Sequence, residues 1–166
     1  MVTIRNAALK DINRISYTLA ASWKVLYRGI IHDEYLDSLN DNHWVDFLTM
    51  GIKNKTIFVM VLEEKKSIIG AAILSEIEKE GKVQLISFYL LPEKTKCGFG
   101  HIFYTDIEAK IKTMGFTKCV LDVLEHNYQA ISFYKAHGFI DTNERICTKL
   151  GECKYTCKVY EKNLLT

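Results

Sequence analysis

Apolar residues at Ile12, Ile15, Leu19, Trp23 and Leu26 recur every three or four positions, the spacing of one helix face. An amphipathic helix is predicted there, after a short strand over Thr3 to Asn6. A second helical stretch is expected over roughly Asp33 to Lys53. The period then changes. Thr56 to Glu63 (TIFVMVLE) and Ser67 to Ile77 (SIIGAAILSEI) are rich in β-branched residues, with the charged Glu64-Lys65-Lys66 between them, which reads as a hairpin. A turn over Glu78 to Lys82 leads into a strand from Val83 to Leu91.

That strand ends at Pro92, the one proline of the chain, and a loop with Gly98 and Gly100 precedes renewed helical spacing at Phe103, Ile107, Ile111 and Met114. Gly115 is placed to stop this helix, and Lys118 to Leu124 (KCVLDVL) reads as a strand. Asn127 can cap a last helix that runs to His137 and ends at Gly138. The tail, Phe139 to Lys149 and Cys153 to Leu164, alternates around Gly151 as a closing antiparallel hairpin. The predicted order is β-α-α-β-β-β-α-β-α-β-β, an α/β chain.

Composition narrows the picture. At 166 residues, 48% hydrophobic and 25% charged, the chain suits one domain over residues 1–166. The net charge of +2 comes from 22 basic and 20 acidic residues spread along the chain, so no nucleic-acid partner is expected. The N-terminus has no apolar run of signal-peptide length and no segment reads as membrane-spanning, so no membrane partner and a cytoplasmic location are expected. Five cysteines, Cys97, Cys119, Cys147, Cys153 and Cys157, read as reduced thiols. The last three lack the close pairing of a zinc site and have no His among them, so no metal is expected.

The first turn of a helix offers unpaired N–H groups and a partial positive charge, and can hold a phosphate without a basic side chain. Glycine at 98 and 100 would let a pyrophosphate approach the backbone of Thr95 to His101. An ordinary strand-to-helix turn would use the same glycines. Neither G-x-x-x-x-G-K-[ST] nor G-x-G-x-x-G is present, since Phe103 takes the third glycine's place, and nucleotide hydrolysis and dinucleotide binding fall behind.

The run Phe88-Tyr89-Leu90-Leu91-Pro92-Glu93-Lys94-Thr95-Lys96-Cys97-Gly98-Phe99-Gly100 resembles the acetyl-coenzyme A signature of the GNAT superfamily of N-acetyltransferases. Asn127, Ala130, Phe133, Tyr134, Gly138 and Phe139 match that family's second motif, N-x-x-A-x-x-F-Y-x-x-x-G-F. The N-terminal portion, with Arg5, Trp23, Tyr27-Arg28-Gly29 and Tyr35-Leu36, also resembles members of the family. The resemblance implies a mixed, twisted sheet whose central strands, ending at Leu91 and Leu124, splay apart to admit the pantetheine arm of acetyl-coenzyme A. It implies a bulge that frees backbone near Leu90 and Leu91 for the arm, and pyrophosphate on Thr95, Lys96, Cys97, Gly98, Phe99 and Gly100, with Asn127 and Phe133 beside the cofactor. Asn127 is equally a plain helix cap.

The resemblance further implies Tyr134 as the general acid that protonates the departing thiolate, a role suited to a phenol with a reference pKa of about 10; a Phe-Tyr pair on an apolar face is otherwise packing. Where many relatives carry a glutamate base this chain has Gln84, and Thr95 stands where Gln or Arg is usual. Glu76, Glu78, Tyr89, Glu125 and His126 could substitute by proximity, yet each reads first as a solvated or packing residue, and no base is assigned. Tyr27, Arg28 and Asp33, with Gln84, are the candidate acceptor contacts, near Trp23, Glu34, Tyr35 and Trp44. Two functions stay open: acetyl transfer to a primary amine of a small molecule, peptide N-terminus or lysine in a ternary complex, and a non-catalytic acyl-coenzyme A binding module. Monomer and homodimer are both left open.

Overall fold

The structure is a computed structural model and describes residues 1–77 and 81–165. Strand β1 (Val2–Asn6) precedes helices α1 (Ile12–Leu26), α2 (Asp33–Ser38) and α3 (Val45–Lys53). Strands β2 (Phe58–Glu64), β3 (Ser67–Ile77) and β4 (Lys82–Leu90) follow. Then come α4 (Phe99–Thr113), β5 (Lys118–Leu124), α5 (Tyr128–Ala136), β6 (Ile140–Leu150) and β7 (Cys153–Asn163). The strands form one mixed sheet in the order β1-β2-β3-β4-β5-β7-β6, and β4–β5 is its parallel pair. The mixed α/β architecture implied by the motifs is therefore present. Glu78, and most of the turn expected over Glu78 to Lys82, lie outside the described residues.

The single helix expected over Asp33 to Lys53 is two. Asn40 accepts the Asn42 N–H on its side-chain oxygen at 2.9 Å, a local turn that competes with the helix. The extended backbone of Leu39 buries that side chain to 1% exposure.

Helices cover both faces of the sheet, which is why β2 and β3 read as continuous apolar runs. Val59, Val61, Ala71 and Ile73 pack against Ile15 and Leu19 of α1 and Leu48 of α3. On the other face Met60, Leu62, Ala72 and Leu74 join Phe103, Ile107 and Ile111 of α4 and Ile131 of α5. The β2–β3 hairpin turns on Lys65 and Lys66, both left-handed (φ 50° and 66°), as a two-residue turn matched to strand twist requires. No helix among the described residues is long and apolar enough to cross a membrane.

The sheet changes character at β4. Ile73 faces Ser87 and Leu74 faces Leu85, so Ile86 is an extra residue and β4 is bulged there. The parallel ladder with β5 joins only Lys82, Gln84 and the residue between them to Lys118–Val120. Beyond it the strands part. The expected bulge therefore exists, but at Ile86, four residues before Leu90.

Asp11 ties the N-terminal strand to α1. Its carboxylate accepts from the Ala8 N–H at 2.8 Å and from Arg5 at 2.7 and 3.1 Å, while Arg5 also donates twice to Glu63 at 2.9 Å. The Arg5 hydrogen bond holds the Asp11 carboxyl below its ordinary range, against the opposing effect of burial. A depressed folded-state pKa contributes stability above the unfolded value that is lost as pH falls through the folded one. Asp11→Ala should cost about 1–3 kcal/mol at neutral pH, the penalty for stranding a buried donor. The difference from wild type in urea denaturation should shrink below about pH 4.

Candidate active site

Where β4 and β5 diverge, two cavities meet. The larger, about 630 Å³, runs from the Pro92–Gly100 loop along β4 to α5. The smaller, about 160 Å³, lies between the parted strands and reaches Tyr27 just past the end of α1, Asn127, and Thr148 and Cys157 of the C-terminal hairpin. Phe88, Tyr89, Ala130 and Tyr134 line both.

The floor is an aromatic stack. Phe88 lies between Phe103 and Phe133 at centroid distances of 5.4 and 5.5 Å, which locks β4 to α4 and α5. Hydrogen bonds alternate along an antiparallel ladder, and the Leu91 N–H reaches back to the Ile69 carbonyl of β3 at 2.8 Å. The amides of Phe88 and Leu90 therefore turn the other way, into the gap. There the Leu90 carbonyl accepts a 2.6 Å hydrogen bond from Ser22 of α1.

At the loop, Lys96 and Gly98 are left-handed (φ 58° and 81°), and Gly98 is the residue from which α4 starts. A Cβ on Gly98 would meet no atom within 4 Å, while one on Gly100 would lie 3.4 Å from Phe133. The open backbone at the start of a fifteen-residue helix is a cradle for an anion, and the outward amides of Phe88 and Leu90 suit an amide-bearing arm. These residues fit a phosphate-terminated cofactor laid along β4.

Leu90, Thr95, Lys96, Gly98, Gly100 and Phe133 line the larger cavity. Leu91 is instead buried in the core at 4% exposure. Cys97 points to solvent with its thiol 3.3 Å from the Thr95 carbonyl, and Phe99 packs partly against the core, so these three contribute backbone at most. The Thr95 hydroxyl turns back to the Pro92 carbonyl at 2.8 Å. Asn127 is both a cap, accepting from the Ala130 N–H at 3.2 Å, and a wall of the smaller cavity.

Of the acceptor candidates, Tyr27 lines the smaller cavity and shares a 2.7 Å hydrogen bond with the Tyr89 hydroxyl. Arg28 and Asp33 do not reach either cavity: they pair with each other at 3.0 Å, and Arg28 also binds Asp37. Gln84 lines neither cavity and donates from Nε2 to Asp122 Oδ1 at 2.9 Å. Among the proposed substitute bases, Glu76, Glu125 and His126 line neither cavity, and Tyr89 lines both.

The residue that sequence reasoning missed is Asp122. It is the one charged side chain among the described residues lining the smaller cavity. A lone charge in the apolar run KCVLDVL was the available signal. Burial first, and its charge further, push the Tyr134 phenol and the Cys157 thiol upward, the thiol to about 11. Burial likewise raises Tyr27 and, strongly, Tyr89. His101 and His137, 3.0 Å apart at the rim of the larger cavity, were also missed.

An open helix start, a strand with outward amides and a phenol shared by two cavities fit the site of an acyl-carrier-dependent transferase. The profile of the acetyltransferase (GNAT) family matches residues 17–139. The chain is 34% identical over 142 residues to the uncharacterized N-acetyltransferase YuaI of Bacillus subtilis, covering 83% of this chain and 80% of that one. It is 27% identical over 143 residues to a spermidine N(1)-acetyltransferase of Thermoplasma acidophilum, covering 83% and 88%. The crystal structure of PaiA N-acetyltransferase from Thermoplasma acidophilum in complex with coenzyme A superimposes with a TM-score of 0.79 at 25% identity, over 98% of this chain and 99% of that one. The chain belongs to the acetyltransferase (GNAT) family and is an acetyltransferase.

The two loop glycines should respond oppositely to alanine. Gly98→Ala forces a side chain into a left-handed backbone and should cost about 1–2 kcal/mol. Gly100→Ala meets only van der Waals contact and, inside a helix, should be neutral or stabilising by up to about 1 kcal/mol. Thermal denaturation of both variants checks this.

Proposed function

We propose that this chain is a single catalytic domain that transfers the acetyl group of acetyl-coenzyme A to a primary amine, by direct attack in a ternary complex, with Tyr134 as general acid. The observation that carries the reading is the position of Tyr134, whose ring borders both cavities. A proton donor there can serve a sulfur in the larger cavity while an amine enters from the smaller. The backbone of Thr95 to Gly100 would hold the pyrophosphate, and the amides of Phe88 and Leu90 the arm. When bound, acetyl-coenzyme A supplies an acetyl group activated as a thioester.

The chemistry asked of the protein is modest. The amine lone pair forms a C–N bond as the C–S bond breaks, the C–S electron pair leaves on sulfur, and the Tyr134 hydroxyl donates its proton there. Burial keeps that phenol protonated above its usual range, so it is in the donating form throughout neutral and mildly alkaline solution. Similarity to a spermidine N(1)-acetyltransferase favours a small cationic amine as acceptor.

Tyr134→Phe should lower kcat about 10²–10⁴-fold, the usual contribution of a positioned acid, while coenzyme A affinity holds. Because the folded-state pKa is raised, wild-type turnover should show no alkaline decline from this group below about pH 10. Free-thiol release from acetyl-coenzyme A with spermidine measures both. Undiminished turnover in the variant removes Tyr134 as the acid.

A further inference from the structure

The smaller cavity carries a chemistry that the family motifs do not contain. Trp23, Tyr27, Tyr89 and Tyr134 stand in its walls, and Asp122 supplies its one charge among the described residues. Aromatic faces and a carboxylate together select a cation. Gln84 fixes the carboxylate. Because a carboxylate only accepts, the amide must turn its NH₂ toward Asp122, and the 2.9 Å bond to Oδ1 leaves Oδ2 without a hydrogen bond from the described residues. Gln84 stands on β4 at the last rung of the parallel ladder, facing Val120, and Asp122 stands two residues further along β5, where that ladder has ended.

We propose that Asp122 is the catalytic residue that receives the acceptor amine, holding its ammonium group and taking a proton from it, and that Gln84 is its positioning residue. The inference rests on the transfer reading above.

The proton balance is complete. A primary ammonium loses two protons on becoming an amide. One passes through Asp122, which is exposed, to bulk water. The other makes good the proton that Tyr134 gives to sulfur. A carboxylate on the acceptor next to its amine would lie against Asp122 and be repelled, so alkylamines should be preferred over α-amino acids of equal chain length.

The test uses the full chain with acetyl-coenzyme A and three probes: spermidine, 1-aminobutane and 2-aminopentanoate. Thiol release gives kcat and KM, and calorimetry gives coenzyme A affinity and 1-aminobutane binding to the coenzyme A-loaded protein. Asp122→Asn should lower kcat by about 100-fold or more, weaken 1-aminobutane binding and narrow the preference over 2-aminopentanoate, with coenzyme A affinity intact. Asp122→Glu should retain part of the activity. The double variant Gln84→Glu/Asp122→Asn, which exchanges the amide and the carboxylate across the same contact, should recover turnover that Asp122→Asn alone lacks. Unchanged kcat and amine binding in Asp122→Asn overturn the proposal. If the wild type binds 1-aminobutane through Asp122 but acetylates no amine, the transfer reading fails while the amine site stands.

Discussion

The three-residue parallel ladder between β4 and β5 is the constraint on which the site depends. A longer ladder would fill the gap with backbone hydrogen bonds and leave nothing for a ligand. The extra residue at Ile86 ends the pairing and re-aims the strand, so that Phe88 and Leu90 keep unspent amides along an open edge inside the sheet. An interior edge of this kind would be costly if it were bare. Here it is sheltered by α1 on one side and by the Phe103–Phe88–Phe133 stack on the other.

Much of this architecture was legible from periodicity and punctuation. Pro92, Gly98 and Gly100 located the strand-loop-helix junction, and Lys118–Leu124 was bounded correctly because Gly115 and Asn127 mark both sides. The break at Asn40 was missed because an Asx turn depends on where one amide oxygen points, which apolar spacing does not record. Site residues divided the same way. The loop follows from glycine and proline positions, whereas the outward amides rest on the ladder alternation fixed by the Leu91 N–H bond to Ile69. Asp122, Ser22 and the His101–His137 pair depend on tertiary proximity between elements far apart in the chain. The pairing of Arg28 with Asp33 and Asp37 shows the converse, since residue types suited to a ligand satisfied each other instead.

Electrostatics at the site is built mainly from burial. The phenols of Tyr27, Tyr89 and Tyr134 all have raised pKa values with desolvation as the first cause, so they stay protonated and neutral. On the proposed reading the negative end of the cofactor would meet the positive end of α4, and the positive end of the acceptor would meet the Asp122 carboxylate. That arrangement would sort the charges of the two substrates to opposite ends of the cavities, with Tyr134 between them.

Ser22 has one hydroxyl proton and two acceptors, the Thr18 carbonyl of its own helix at 2.7 Å and the Leu90 carbonyl of β4 at 2.6 Å. The proton serves either the helix or the strand. The same helix brings Trp23, Leu26 and Tyr27 to the smaller cavity. A single hydrogen atom can therefore tie the helix that carries part of the smaller cavity's wall to β4, the strand that lines both cavities.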